Sequence, residues 1–132
     1  MILDASAVVA ILFRESDAHR YEEAIAAAPY CRMSVVNFVE AAMVLESRDG
    51  PARGVSLDVF METAHVEMTP VTPEHAYAAR QAWRRFGKGN HPAGLNFGDC
   101  FAYALAQTSG ESLLFKGGDF ALTDVEDALA QQ

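Results

Sequence analysis

Four acidic residues stand beside apolar stretches of the sequence, where the solubility of the chain does not explain them: Asp4, Glu40, Asp99 and Asp119. A carboxylate in an apolar interior is unfavourable unless it is protonated, paired with a base or bound to a cation. Carboxylates that converge without histidine ligands suit a hard cation such as Mg²⁺ or Mn²⁺ rather than zinc. Cations held in this way activate a water and stabilise the leaving oxygen in phosphodiester hydrolysis. This acidic quartet therefore predicts metal-dependent nuclease chemistry.

The first two acids of the quartet each have an alternative structural role. Asp4 follows the apolar residues 1–3, which puts it at the end of a predicted strand, but it could instead cap the next helix. Glu40 shares a predicted helical face with Val36 and Met43, because residues three and four positions apart are neighbours on a helix. A buried ion pair with an arginine would also account for Glu40. Both alternatives stay open at this point.

The other two acids also have alternative roles. Asp99 immediately precedes residues 100–106, a run too apolar for a solvated helix face, but it could simply cap that helix. Asp119 follows the predicted strand at 112–115 after a turn, and it could be an Asx-turn acid. A metal site is therefore predicted from the coincidence of all four acids and not from any one of them.

Short strands alternate with helices along the chain, and this pattern would bring the acids together. We predict strands at residues 1–3, 31–33, 65–71 and 112–115. We predict helices at residues 5–13, 18–28, 34–48, 54–64, 72–86 and 99–108, with Ser34 and Thr72 as two of the caps and a long loop at 87–98. Such alternation is typical of a three-layer α/β/α fold with a short, mostly parallel central sheet flanked by helices. Ligands of such sheets bind beyond the carboxyl ends of the strands, where Asp4 and Asp119 are expected.

Length and composition limit the class of protein. The chain has 132 residues, 51% of them hydrophobic, which is enough for a single domain over residues 1–132. Cys31 and Cys100 have no cysteine or histidine close by, which excludes a disulfide framework and a cysteine-based zinc site. We expect both thiols to be reduced and buried in a cytoplasmic protein. The apolar run at 7–13 is too short to cross a bilayer, so we expect no membrane anchor or signal peptide.

Four sequence blocks carry the quartet and span nearly the whole chain: residues 1–7 (MILDASA), 34–40 (SVVNFVE), 95–100 (LNFGDC) and 113–120 (LLFKGGDF). In this order and at these separations, the blocks resemble the PIN-domain ribonucleases, specifically the VapC toxins of bacterial toxin–antitoxin systems. The resemblance implies that the acidic quartet holds Mg²⁺ or Mn²⁺. It further implies that a metal-activated water attacks a phosphodiester of single-stranded or loop RNA, often a transfer or ribosomal RNA, and leaves a 3′-hydroxyl and a 5′-phosphate.

Three further residues are candidates for supporting the quartet. Ser6 is similar to the small hydroxyl residue that the family places near the metal, and Asn37, one helical turn before Glu40, could orient that carboxylate. Many members of the family carry a further acid where this chain has Gly117. Asp124 is a candidate for a compensating carboxylate or for a contact further from the metal. Helix-start, capping or solvated roles are the alternatives for these residues.

A basic cluster runs along the end of one predicted helix into the glycine-rich loop: Arg80, Arg84, Arg85 and Lys88. These side chains could contact the phosphates of RNA, and an aromatic side chain among the interleaved Trp83, Phe86, Asn90 and His91 could stack on an unpaired base. The alternative is an ordinary cationic helix end with Trp83 in the core. The net charge of −8 argues against broad electrostatic binding to a polyanion, but not against a phosphate substrate reached through metal ions.

The resemblance implies partners as well as a reaction. A VapB-like antitoxin would wrap the toxin, often with an arginine near the carboxylates, and the net charge of −8 suits such a basic partner. The family also implies homodimers. The predicted helix at 21–28 and the alanine-rich face of the helix after Ser34 offer apolar surface for these contacts.

Other classes of protein also carry carboxylates at strand ends. A phosphatase of the haloacid dehalogenase type would need a second acid two residues after Asp4, where this chain has Ser6. A receiver domain would need a phosphorylatable aspartate after the strand at 65–71, where the sequence reads Pro-Val-Thr from Pro70. A catalytically inactive PIN domain that serves as a binding scaffold is a third alternative, and the retained quartet argues against it.

Overall fold

A four-stranded parallel sheet organises the computed structural model, which describes residues 1–131. The strands are β1 (Ile2–Leu3), β2 (Cys31–Ser34), β3 (Val66–Thr69) and β4 (Leu113–Leu114). The helices are α1 (Ala5–Leu12), α2 (Ala18–Ala27), α3 (Val35–Asp49), α4 (Pro51–Thr63), α5 (Pro73–Phe86) and α6 (Phe97–Ser109). Short 3₁₀ helices follow at Phe120–Leu122 and Ala128–Gln131. Gln132, the last residue of the predicted domain, lies outside the described residues.

The strand order is β3-β2-β1-β4, and all neighbouring strands are parallel. Ile2 pairs with Arg32 of β2 on one side and with Leu113 of β4 on the other. The chain moves outward from β1 to β3 and then returns to β4 on the far side of β1, so the direction of strand order reverses between β1 and β4. Open parallel sheets bind ligands beyond the strand ends at such a reversal.

Each face of the sheet is covered by helices and has its own apolar core. Ile2 and Leu3 are both fully buried, and they enter different cores because successive side chains of a strand point to opposite faces. Ile2 packs with Leu113 and with residues of α5 and α6. Leu3 packs with Leu114 and with residues of α1, α2, α3 and α4. The predicted three-layer α/β/α fold is therefore confirmed, with a sheet that is parallel throughout.

Side-chain caps begin two helices where the sequence predicted them, with Ser34 at α3 and Thr72 at α5. The predicted start of α4 was wrong, since this helix begins at Pro51 rather than at residue 54. Gly50, with a φ of 83°, ends α3 and lets the proline occupy the first position of the next helix. The pair Gly50-Pro51 thus both ends α3 and begins α4.

The predicted start of α6 was also wrong, since this helix begins at Phe97 rather than at Asp99. The Asn96 side chain caps α6 by accepting a hydrogen bond from Asp99 N at 2.9 Å. The long loop therefore ends at residue 96, and Asp99 lies at the third position of the helix instead of before it.

The segment after β4 folds back along that strand. Leu113 N donates a hydrogen bond to Glu126 O at 2.8 Å, and Leu113 forms a parallel bridge with Asp127. This segment therefore lies beside β4 on the side away from β1.

Two further predictions concern the cysteine thiols and a membrane-spanning segment. Cys31 and Cys100 are free and buried, as the sequence predicted. Within residues 1–131, no helix has both the length and the apolar character needed to cross a membrane.

Candidate active site

Asp4 lies at the carboxyl end of β1, where it caps α1 and is buried. Its Oδ2 accepts hydrogen bonds from Ser6 N at 3.0 Å and from Ser6 Oγ at 2.5 Å. Its Oδ1 is also buried, but this oxygen has no hydrogen-bond partner among residues 1–131. Burial raises the pKa of Asp4, and the hydrogen bonds from Ser6 oppose that rise only in part. Asp4 is thus both a helix cap and a carboxylate with one uncompensated oxygen.

Ser6 connects Asp4 to the segment that follows β4. Its hydroxyl oxygen accepts a hydrogen bond from Lys116 N at 2.9 Å while it donates to Asp4. The Lys116 ammonium lies 2.9 Å from Glu15 Oε2 and 2.9 Å from Asp17 Oδ1. Lys116 is therefore paired with acids outside the quartet and does not compensate the charge of Asp4.

Asp99 forms a reciprocal cap with Asn96 at the start of α6. Asp99 Oδ2 accepts a hydrogen bond from Asn96 N at 3.0 Å, in return for the one that Asn96 accepts. Asp99 is only 9% exposed. Burial is the main cause that raises its pKa to about 7, and the charges of the other three acids add to the rise. A simple capping role leaves this excess of negative charge unexplained.

Glu40 is half-buried on α3, where burial first and the charge of Asp4 second raise its pKa. Asn37 Nδ2 donates a hydrogen bond to Glu40 Oε1 at 3.3 Å. No ion pair within residues 1–131 includes Glu40, so the alternative of an arginine partner does not hold. The predicted apolar face beside Glu40 is present, but much of it is surface, since Met43 is 67% exposed.

Asp119 is the exposed member of the quartet. It precedes the 3₁₀ helix at Phe120–Leu122, and its side chain forms no capping hydrogen bond there. Its negative charge contributes to the raised pKa of Asp4 and of Asp99, so it lies within electrostatic range of both. The structure therefore brings the acids from four separate parts of the sequence to one edge of the sheet.

The quartet gathers acidic groups that have no basic partner in the described part of the chain. None of its members takes part in an ion pair among residues 1–131. In the same part of the chain, no three histidine, cysteine, aspartate or glutamate side chains already stand close enough to hold a metal ion. The unpartnered Oδ1 of Asp4 and the oxygen-only donor set fit a divalent cation that would draw the carboxylates closer together.

Two residues link the helix of Glu40 to the helix of Asp99. Asn37 is fully buried on α3, and its Nδ2 donates a hydrogen bond to Gly98 O at 2.9 Å. Gly98 immediately precedes Asp99 on α6. The sequence indicated Asn37 through its helical spacing from Glu40, but it missed Gly98, because the role of that residue depends on a contact between distant segments.

Asp124 lies in a cluster with residues of α5 and α6. Tyr103 Oη donates a hydrogen bond to Asp124 Oδ1, and Arg85 Nη2 lies 3.3 Å from Asp124 Oδ2. The Arg85 guanidinium also lies 4.7 Å from the centre of the Phe86 ring. Both carboxylate oxygens of Asp124 therefore have partners, and Arg85 holds the C-terminal segment against α5.

The other basic residues of the predicted RNA surface are exposed: Arg80, Arg84 and Lys88. Trp83 is 50% exposed, so the alternative that places it in the core does not hold. Arg80, Trp83 and Lys88 line a groove of about 590 Å³. A second groove of about 680 Å³ reaches Glu40 along α3, and Phe97, 74% exposed, lines both grooves. The sequence missed Phe97 because it placed this residue in a loop.

Comparison with known proteins finds similarity along almost the whole chain. Residues 1–126 match the PIN domain family. Ribonuclease VapC of Mycolicibacterium smegmatis is 52% identical over 125 residues, which cover 95% of this chain and 97% of that protein. Ribonuclease VapC28 of Mycobacterium tuberculosis is 47% identical over 130 residues, which cover 98% of each chain.

Two solved structures have the same fold as this chain. Mycobacterium tuberculosis VapC20, described as a sarcin-ricin loop cleaving toxin, matches with a TM-score of 0.75 and 20% identity, over 94% of this chain and 95% of that chain. A chain from a toxin–antitoxin complex of Klebsiella pneumoniae matches with a TM-score of 0.70 and 15% identity, over 93% and 92%. At these identities, the likeness concerns the fold alone.

Proposed function

This chain belongs to the PIN domain family as a VapC ribonuclease toxin, and we propose that its acidic quartet is the site that binds Mg²⁺ or Mn²⁺ and hydrolyses RNA. The proposal rests mainly on Asp4, a buried carboxylate with an unpartnered oxygen beside other acids that lack cationic partners. When bound, a divalent cation activates water and stabilises the leaving oxygen of a phosphodiester. We also propose that residues 1–132 form a single PIN domain.

The acids of the quartet differ in how firmly the fold holds them. Asp4 caps α1 at the end of β1, and Asp99 shares a reciprocal capping box with Asn96 at the start of α6, so these two are the anchoring ligands in this proposal. Glu40 approaches from α3 and is oriented by Asn37. Asp119 is exposed on the segment after β4 and supplies the outermost carboxylate.

Cleavage of total cellular RNA by the purified, antitoxin-free protein tests the proposed site. We expect cleavage with Mn²⁺ or Mg²⁺, none with EDTA, and none in folded Asp4→Asn or Asp99→Asn variants. Asp58→Asn is the matched control, since Asp58 is an exposed acid on α4, and it should cleave like the wild type. Cleavage that survives EDTA and both site variants would refute the metal site. An inactive binding scaffold predicts no cleavage by the wild type either.

We propose that RNA lies along the basic end of α5. Arg80 and Lys88 line the same groove as Trp83 and Phe97 and can reach phosphates. Arg84 is exposed next to Trp83 on α5. Aromatic side chains stack on unpaired bases, so the surface suits a single-stranded or loop segment, such as those of transfer or ribosomal RNA. Phe97 lines both the groove beside Trp83 and the groove that reaches Glu40, so this surface adjoins the quartet.

We propose a VapB-like antitoxin as the partner, held partly in a cleft between α2 and α4. The cleft has a volume of about 700 Å³ and is lined by apolar residues that include Ile25, Val59 and Phe60. The net charge of −8 favours a basic segment in the partner. Val59→Asp, at a 57% exposed position, should weaken capture of the antitoxin and leave RNA cleavage unchanged. Undiminished capture by this variant would contradict the placement.

We further propose a homodimer and a cytoplasmic location. The outer face of α3 exposes Val39, Met43 and Val44, an apolar surface that a second copy of the chain would cover. A stable monomer at micromolar concentration in light scattering would contradict the dimer.

The buried free thiols of Cys31 and Cys100 suit a reducing compartment. The PIN domain match sets aside the phosphatase and receiver-domain alternatives.

A further inference from the structure

Gly98 occupies a helical position at which glycine is an unfavourable residue. It lies in the first turn of α6, and glycine in a helix is less stable than alanine. Five glycines of the described chain have positive φ angles, but Gly98 is not among them. Its backbone conformation therefore does not require glycine.

The Glu40 carboxylate lies in the space that a side chain at position 98 would fill. An ideal Cβ on Gly98 would lie 2.1 Å from Glu40 Oε2, 2.5 Å from Cδ and 2.7 Å from Oε1. Atoms that are not bonded do not approach so closely, so any larger residue at this position would displace the carboxylate.

Asn37 holds the two sides of this contact together. Its Nδ2 donates a hydrogen bond to Gly98 O at 2.9 Å and lies 3.3 Å from Glu40 Oε1. Asn37 is fully buried, so its amide is fixed by the surrounding packing. A carboxylate of α3 and the backbone of α6 are thus joined through one side chain.

We propose that Gly98 is a positioning residue, whose missing side chain lets Glu40 come close enough to Asp99 to share a divalent cation. Asp99 follows Gly98 directly in α6, so Glu40, which lies against Gly98, is next to the residue that carries the second carboxylate. Asn37 keeps Glu40 in that place. This inference rests on the proposed function of the quartet and assigns Gly98 a part in its affinity for metal.

A second helical glycine provides a matched control. Gly54 of α4 also lies against a glutamate, since an ideal Cβ there would be 2.5 Å from Glu46 Oε2. Glu46 is exposed and free to turn into solvent, and neither residue belongs to the quartet. Gly54→Ala therefore reproduces the change of residue and the displaced carboxylate without touching the site.

The first test measures the thermal unfolding of metal-free protein in a double-mutant cycle. We expect Gly98→Ala to raise the unfolding temperature in a Glu40→Ala background, where the space is vacant and alanine favours the helix. In the wild-type background the same change should give a smaller rise or a decrease. Equal shifts in the two backgrounds would overturn the proposal, because they would mean that position 98 does not confine Glu40.

The second test measures Mn²⁺ binding by calorimetry on the same proteins. We expect Gly98→Ala to raise the dissociation constant at least tenfold, and Gly54→Ala to leave it unchanged. The shorter acid in Gly98→Ala/Glu40→Asp should recover part of the affinity, which a general loss of folding would not allow. Wild-type affinity in Gly98→Ala would overturn the metal role. If the wild type itself bound no Mn²⁺, the proposed function would fail, while the unfolding cycle would still decide whether Gly98 places Glu40.

Discussion

The Ser6 hydroxyl donates a hydrogen bond of 2.5 Å to Asp4 Oδ2, the carboxylate that caps the helix in which Ser6 itself lies. The same hydroxyl accepts from the backbone N–H of Lys116, three residues before Asp119. A single small side chain therefore links the buried end of β1 to the segment that carries the exposed acid.

Ser6→Ala should lower both the stability of the fold and the affinity for Mn²⁺. Asp4 would lose a donor to a buried charged group, a change of about 1.5–3 kcal/mol, and Lys116 N would lose its acceptor. Urea unfolding and a Mn²⁺ titration measure the two effects. Ser47→Ala, which removes an exposed hydroxyl on α3, is the control and should change stability by less than about 0.5 kcal/mol. Wild-type Mn²⁺ affinity in folded Ser6→Ala would count against the link.

Asp99→Asn should stabilise the metal-free protein at high pH. Burial raises the pKa of Asp99 from its ordinary 3.8 to about 7, so the folded state binds more protons than the unfolded chain between these values. Wild-type stability therefore falls as the pH rises from about 4 to about 7, by at most about 4 kcal/mol for this group. The neutral asparagine removes that fall.

Urea unfolding at pH 4, 6 and 8 in EDTA would measure this difference. The variant should gain most at pH 8 and little at pH 4. Added Mn²⁺ should then stabilise the wild type but not the variant, because only the wild type keeps the anchoring carboxylate. A variant no more stable than the wild type at pH 8 would show that Asp99 does not carry an unfavourable buried charge.

Tyr103→Phe should reduce stability without changing metal affinity. Burial and the hydrogen bond to Asp124 raise the pKa of Tyr103 to about 12. Phenylalanine removes this hydrogen bond to a charged group, which should lower the free energy of unfolding by about 1.5–3 kcal/mol. Tyr77→Phe, at a 65% exposed position, is the matched control.

In Mn²⁺ titrations, Asp124→Asn should bind the metal like the wild type. A loss of affinity as large as that of Asp119→Asn would make Asp124 a ligand.

The double variant Arg84→Ala/Lys88→Ala should weaken RNA binding more than it slows the cleavage of bound RNA. Both side chains are exposed near Trp83. For a single strand, the slope of the logarithm of the binding constant against the logarithm of the salt concentration should become shallower by about 0.7 for each phosphate interaction removed. Cleavage rates across RNA and salt concentrations would show a raised KM with little change in kcat. Arg20→Ala on α2 is the control and should leave both unchanged. An unaltered KM in the double variant would place the RNA elsewhere.

Local signals in the sequence predicted most elements that carry the quartet. The cap of α3 at Ser34 and the strand before Asp4 needed only short-range information. The end of α3 at Gly50 was equally clear, but the next helix begins at once because Pro51 is compatible with a first helical position. Residue types alone do not distinguish the end of one helix from the beginning of the next when the two are adjacent.

What the sequence missed depends on distant parts of the chain. The exposure of Met43 follows from the absence of an element over the outer face of α3 among residues 1–131, which an apolar pattern does not reveal. The ion pair between Arg85 and Asp124 joins α5 to the C-terminal segment and was not predicted, while the phosphate contact of Arg85 stays a prediction. The contact between Gly98 and Glu40 joins α6 to α3, and no spacing rule within one helix reports it.

The C-terminal segment that pairs with Leu113 has a consequence for assembly. The outer side of β4 has its backbone groups occupied through Glu126 and Asp127, so this edge of the sheet is closed to another strand. At the opposite edge, β3 is four residues long, exposes the charged Glu67 and is followed directly by Pro70. The sheet is thereby protected against the addition of a strand from another chain, and the proposed contacts with a second copy or an antitoxin would use helix side chains.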